Sequence, residues 1–297
     1  MSTAEIKNII AENKDDIAFV IGNGVNRYPN NPNALSWDDL LLKLWDKASL
    51  HTVLKRPSGV SITEFYDILD LINNSSIQLQ KEVATLMEDW EPLLHHETIV
   101  SRIKELNVPL LTTNFEATFA KTFEYDLYKI EQDRFTDYYP WNCYHANTEL
   151  KSPLEGFGVW YINGMTHYHR SIRLGLSHYM GSVERARMLI NSPMGKLYNA
   201  KNISDWKGNS TWLHIVFHRS LFIFGLGLDE NETFLRWLLI ERFKYYKKYP
   251  SRKHKGWYLY KRSDNPLDEG KKFFLQNVGF EIIEVDNYDT IYQGLWS

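Results

Sequence analysis

The sequence holds one cysteine, Cys143, among its 297 residues. A single thiol excludes an intrachain disulfide and any zinc ribbon built from several thiolates. Charge of one sign is also scarce. The net charge is −3 and the pI is about 6.4, so nothing in the overall balance draws the chain to nucleic acid or to an anionic membrane. No apolar run is long enough to span a bilayer. There are no internal repeats and no low-complexity linker. The opening residues, MSTAEIKNIIAENKDD, are polar and acidic, unlike a secretory signal. The expectation is a cytoplasmic protein with no membrane partner. What the chain has in quantity is aromatic: 10 Trp, 18 Tyr and 15 Phe.

Short apolar runs alternate with helical patterns. IAFVIG (17–22), VPLLTT (108–113), YDLYKIE (125–131), VWYING (159–164), GWYLYK (256–261) and FEIIEV (280–285) read as strands, and IVFHRSLFIFGLGL (215–228) contains another. Helices are expected over 3–13, 36–48, 182–190 and 233–248, and over LDEGKKFFLQN. In the second of these, Ser36 is the N-cap and Leu40, Leu41, Leu44 and Trp45 share one face. The last-but-one is capped by Asn231 or the acids before it. Residues 133–156 read as turn-rich. This alternation implies an α/β fold, a doubly wound, Rossmann-like, mostly parallel sheet. One domain fills 1–297, with its core at about 15–50 and 107–290 and a small helical insertion at about 60–106.

In such sheets ligands bind where strands end at their carboxyl edges. Four runs here end in glycine or small polar residues: IGNGVN, LLTTNFE, YINGM and FGLGLDEN. Glycine lets a backbone turn sharply and approach a phosphate. Gly22-Asn23-Gly24 alone is weak, because the third glycine position of the dinucleotide pattern is Arg27 and a plain strand-to-helix turn reads the same way. Four such ends are harder to ascribe to turn chemistry.

IGNGVN followed by SWDDLL resembles the glycine loop and following helix of the sirtuin-like family. LLTTNFEATF is similar to that family's strand ending Thr-Thr-Asn-Tyr-Asp, VWYINGMTHYHRSIRLGLSHY to its His-Gly segment, and LFIFGLGLDENETFLRWLL to its late strand and helix. The four occur in the family's order over residues 17 to about 285. The chain resembles bacterial phage-defence members, since the deacetylases usually carry a four-cysteine zinc module. The resemblance implies NAD as ligand and substrate, hydrolysed to nicotinamide and ADP-ribose, with no metal. It implies that Gly22, Asn23, Gly24 and Val25 cradle the pyrophosphate and that Asn26, at the family's serine, binds a phosphate or ribose. Asn114 is placed at the nicotinamide ribose with Thr113 beside it, and Gly225, Gly227 and Asp229 near the adenosine half. Glu116 replaces the family's aspartate.

The chemistry suits Asn114. Nicotinamide leaves as a neutral molecule, so the reaction needs a held ribose and one placed water, and an amide both donates and accepts. The departure is Asn163, which stands where the family has histidine and cannot take a proton near neutral pH. Two readings stay open: an altered hydrolase, in which Asn163 orients the ribose by hydrogen bonds or a nearby histidine, His167 or His169, substitutes, or a silent nucleotide-binding module. Full use of the chain by the fold leaves no sensor domain, so control is expected from self-assembly or a separate partner protein. His95-His96 reads as a surface or helix-cap pair, and His167-x-His169 as loop chemistry. The basic, aromatic stretch 244–262 reads as a solvated face; a nucleic-acid groove is the weaker alternative.

Overall fold

The computed structural model describes residues 1–49, 52–73, 77–130, 139–191, 196–198, 202–263, 265 and 267–297. Residues 133–138 of the turn-rich segment lie outside them. Eight strands form one sheet: β1 (Ile17–Ile21), β2 (Leu110–Thr112), β3 (Asp126–Lys129), β4 (Cys143–Ala146), β5 (Val159–Tyr161), β6 (Ser220–Phe224), β7 (Gly256–Lys261) and β8 (Glu281–Val285). Their order is β3-β4-β5-β2-β1-β6-β7-β8. Pairing is parallel from β5 to β8, and β3 and β4 add an antiparallel edge. The fold is thus α/β and Rossmann-like, as the alternation implies.

β1 is buried on both faces because it sits in the middle of the sheet. Its side chains divide with period two. Ala18 and Val20 join one core, and Ile17, Phe19 and Ile21 join the other. The first core is covered by helices α8 (Leu176–Asn191), α9 (Leu213–His218), α10 (Thr233–Lys248) and α11 (Leu267–Asn277), with Trp141, Trp206 and Trp212 packed between. The second lies under α1 (Thr3–Glu12), α6 (Leu94–Leu106) and a terminal turn at Thr290–Gly294. Much of the aromatic load fills these two layers.

A third core joins α3 (Trp37–Ala48), α4 (Ile62–Ile72) and α5 (Leu79–Leu86), and it touches the sheet side through Phe115, Ile172 and Leu174. Ser36 and Ser61 accept from the amides of Asp39 and Glu64 and so start α3 and α4. The helical block expected at 60–106 therefore splits. α6 buries Ile99, Val100 and Ile103 against the sheet as an ordinary crossover helix, and only α4 and α5 stand apart with α3. α6 ends where Asn107 takes a left-handed conformation at φ 56°.

Three further expectations are corrected. The turn-rich segment contains β4, which pairs with β3 and β5. The stretch 215–228 contains β6, as expected, and opens with the end of α9. The helix expected at 182–190 starts earlier, at Leu176. The N-cap of α10 is Glu232, without a side-chain cap; Asp229 instead accepts from the amide of Asn231 at 2.9 Å. In the basic stretch, Lys244 pairs with Glu241 at 2.6 Å and Arg252 lies over the rings of Tyr245 and Tyr249. The sheet's rims carry charge, with Asp126 and Lys129 exposed on β3 and Glu281 on β8. No helix among the described residues is long and apolar enough to cross a membrane.

Candidate functional site

The chain leaves β1 toward β2 on one side, and β6 continues the sheet on the other. A cleft of about 550 Å³ opens at this switch point, at the carboxyl ends of β1, β2, β6 and β7. That volume suits a small organic ligand. Asn23, Gly24, Thr113, Asn114, Gly225, Gly227 and Asp229 all line it. Strand ends far apart in sequence thus meet in one place.

The floor is built by β2. Thr112 donates from its hydroxyl to Ile21 O at 2.9 Å and accepts from the amide of Asn114 at 3.1 Å, while the amide of Thr113 reaches Ile21 O at 3.2 Å. These bonds turn the chain so that Asn114 and Glu116 face the cleft. Asn114 is 6% exposed, and its side-chain nitrogen has no hydrogen-bond partner among the described residues. A buried orphan donor costs free energy unless a ligand or water meets it. The amide still lies close enough to Glu116 to favour that carboxylate's charged form.

Glu116 is 2% exposed. It accepts from Asn26 Nδ2 at 2.5 Å and from the amide of Thr118 at 3.2 Å. Burial pushes its pKa above the ordinary carboxylate value, and these donors pull against that shift. Behind Asn26 stands His96, whose Nε2 is 3.0 Å from Asn26 Oδ1. His95 Nε2 is 2.8 Å from Val25 O. Both imidazoles are buried, so the surface reading of this pair fails, while the cap reading holds for His96, which accepts from Leu93 N at 2.9 Å. Burial lowers both pKa values, that of His96 to about 3.

The glycine loop differs from its expected role. The amide of Gly22 bonds Phe224 O at 3.1 Å, that of Gly24 bonds Gly225 O at 2.7 Å, and that of Val25 bonds Gly22 O at 3.3 Å. Three amides assigned to a pyrophosphate are therefore engaged within the chain. The glycines serve a crossing of two loops: a Cβ on Gly22 would lie 2.6 Å from Gly225 O, and one on Gly24 would lie 2.4 Å from the Tyr292 hydroxyl. Gly225 itself takes φ +67°, which favours glycine. Gly227 has open space, with Asp229 Oδ2 nearest to an added Cβ at 3.9 Å. Tyr258 ties this loop down by donating to Leu226 O at 2.6 Å. Gly22, Val25 and Asn26 do not line the cleft; they support it from behind.

Asn163 follows β5, is 2% exposed, and does not line the cleft. Its carbonyl accepts from Arg173 N at 2.9 Å, and its side-chain oxygen has no partner among the described residues. His167 lies on a turn, Thr166–Ser171, rather than on a strand; it is exposed and also stands outside the cleft. Sequence reasoning assigned no role to the cleft's other charged groups. Arg27, Arg56, Lys261 and Lys271 line it with Asp38, Glu232 and Asp268. Arg56 pairs with Asp38 at 2.7 Å. Burial, reinforced by Asp229, raises the pKa of Glu232 to about 7. Among the described residues, no group of three or more His, Cys, Asp or Glu is placed to hold a metal.

A comparison with protein-family models and with curated proteins finds no match.

Proposed function

We propose that the cleft binds NAD⁺ and that the chain hydrolyses it to nicotinamide and ADP-ribose, as a sirtuin-like protein of anti-phage defence held in check by a partner or by self-assembly. The observation that carries this reading is the unsatisfied amide of Asn114, buried at the switch-point cleft beside Glu116. An amide so placed can hold a ribose hydroxyl and a water together, and nicotinamide needs no acid to leave. With the loop amides engaged, the phosphates are met by side chains, for which Arg27 and Arg56 stand at the cleft wall.

Incubation with NAD⁺, alone and with candidate partners, is expected to yield nicotinamide and ADP-ribose. Asn114→Ala should lower turnover on the order of 100-fold, the loss typical of one polar group at a reacting centre. Absence of product in every assembled state sinks the hydrolase reading. A second reading is a module that binds NAD or ADP-ribose without turnover; the position of Asn163 outside the cleft favours it. Calorimetric binding without products identifies that case.

A further inference from the structure

Glu116 ends a chain of hydrogen bonds whose direction is fixed from its far end. The amide of Leu93 donates to His96 Nδ1 at 2.9 Å, so that nitrogen is unprotonated and the ring proton sits on Nε2. Nε2 then donates to Asn26 Oδ1 at 3.0 Å. With its oxygen committed, Asn26 turns its NH₂ toward Glu116 Oε1 at 2.5 Å and Asn23 Oδ1 at 3.0 Å. A flipped amide would set an oxygen against the carboxylate and break all three bonds. The Thr118 amide holds Oε2 at 3.2 Å. The carboxylate is thus clamped as an acceptor on the cleft floor, two residues from the orphan amide of Asn114.

The groups facing Glu116 are neutral. They are Asn26, with His96 behind it and His95 alongside, Thr118, Asn114, and from β5 the buried Tyr161. Asn163 cannot take a proton, and Glu116 lines the cleft beside Asn114 where Asn163 does not.

We propose that Glu116 is the proton acceptor of this site, and that Asn26 and His96 are positioning residues that hold its carboxylate. The proposal rests on the hydrolase reading above. As the C1′–N bond breaks, its electron pair leaves with neutral nicotinamide. Water oxygen forms the new bond to C1′, and one of its protons passes to Glu116 and from there to solvent. The methylene that distinguishes glutamate from aspartate supplies the reach to Asn26. Burial raises the carboxyl above its ordinary value and so strengthens it as a base, while the donors from Asn26, Thr118 and Asn114 favour its charged form.

The test is the pH profile of NAD⁺ turnover. For the wild type, kcat/KM is expected to rise through one ionisation above the ordinary carboxylate range. Glu116→Gln should lower kcat on the order of 10²–10⁴-fold and abolish that ionisation, with ADP-ribose affinity near wild type. Asn26→Asp sets a second carboxylate against Glu116 and should move the ionisation to higher pH. His96→Leu should lower kcat without raising KM, and His96→Gln, which keeps a donor, should restore it. A Glu116→Gln protein with wild-type rate and profile overturns this proposal alone. If Glu116→Gln does not fold, Asn26→Asp decides, and an unmoved ionisation overturns the proposal. A wild type that releases no nicotinamide overturns the hydrolase reading and this proposal with it.

Discussion

Glu232 stands at the lip of the cleft, where burial and Asp229 raise its pKa from 4.5 to about 7. The folded chain therefore holds that proton more tightly than the unfolded chain does. Stability is lost as pH rises from about 4.5 to about 7, and is level beyond. Glu232→Gln should stabilise the protein at pH 8 by about 1–3 kcal/mol and change little at pH 4, as read from urea midpoints; the side chain's partial opening to the cleft moderates the effect. Asn163 behaves differently. It is buried and does not line the cleft, so Asn163→His should raise turnover not at all and lower the melting temperature by overpacking. At this scale the motif LLTTNFE was informative, because both Asn114 and Glu116 follow directly from a buried strand. His95 and His96 were not legible, since their partners, Val25 and Asn26, lie 70 residues away in the chain.

The loops after β1 and β6 cross in close contact. Gly22 and Gly24 have no room for a methyl group against the backbone of Gly225. Gly24→Ala should cost about 1–3 kcal/mol in a urea melt and reduce ligand affinity together with stability. The glycines were visible in the sequence, but their reason was not: a close-packed crossing and a phosphate cradle demand the same residue. The central strands β1, β2, β5, β6 and β7 were legible as apolar runs bounded by glycine or threonine. β4 was hidden, because CYHA has no alternation and lies among turn formers, and its burial comes from neighbours on both sides. α9 was not legible, because LHIVFH is too short to show a helical period and runs straight into the strand that follows.

Across the whole molecule, buried imidazoles set the response to acid. Burial lowers His96 and His218 to about 3 and His145 and His214 to about 4. Each stays neutral in the folded chain and takes a proton on unfolding below about pH 6.5. Stability is therefore full above that value and falls as pH drops toward 4, with each histidine removing about 1–2 kcal/mol by pH 5. Glu116 and Glu232 act in the opposite sense and are fewer. The urea midpoint should drop clearly between pH 7 and pH 5, with proton uptake on unfolding measured by calorimetry in two buffers. A midpoint that stays level across this interval contradicts the assignment.

The two rims of the sheet bear on assembly. Asp126 and Lys129 at one end and Glu281 at the other would have to shed their water for a second sheet to extend the first. Copies of this chain are thereby steered away from stacking into continuous ribbons. Should copies of this chain assemble, the cost falls on pairing sheet edge to sheet edge and not on contact through helix surfaces.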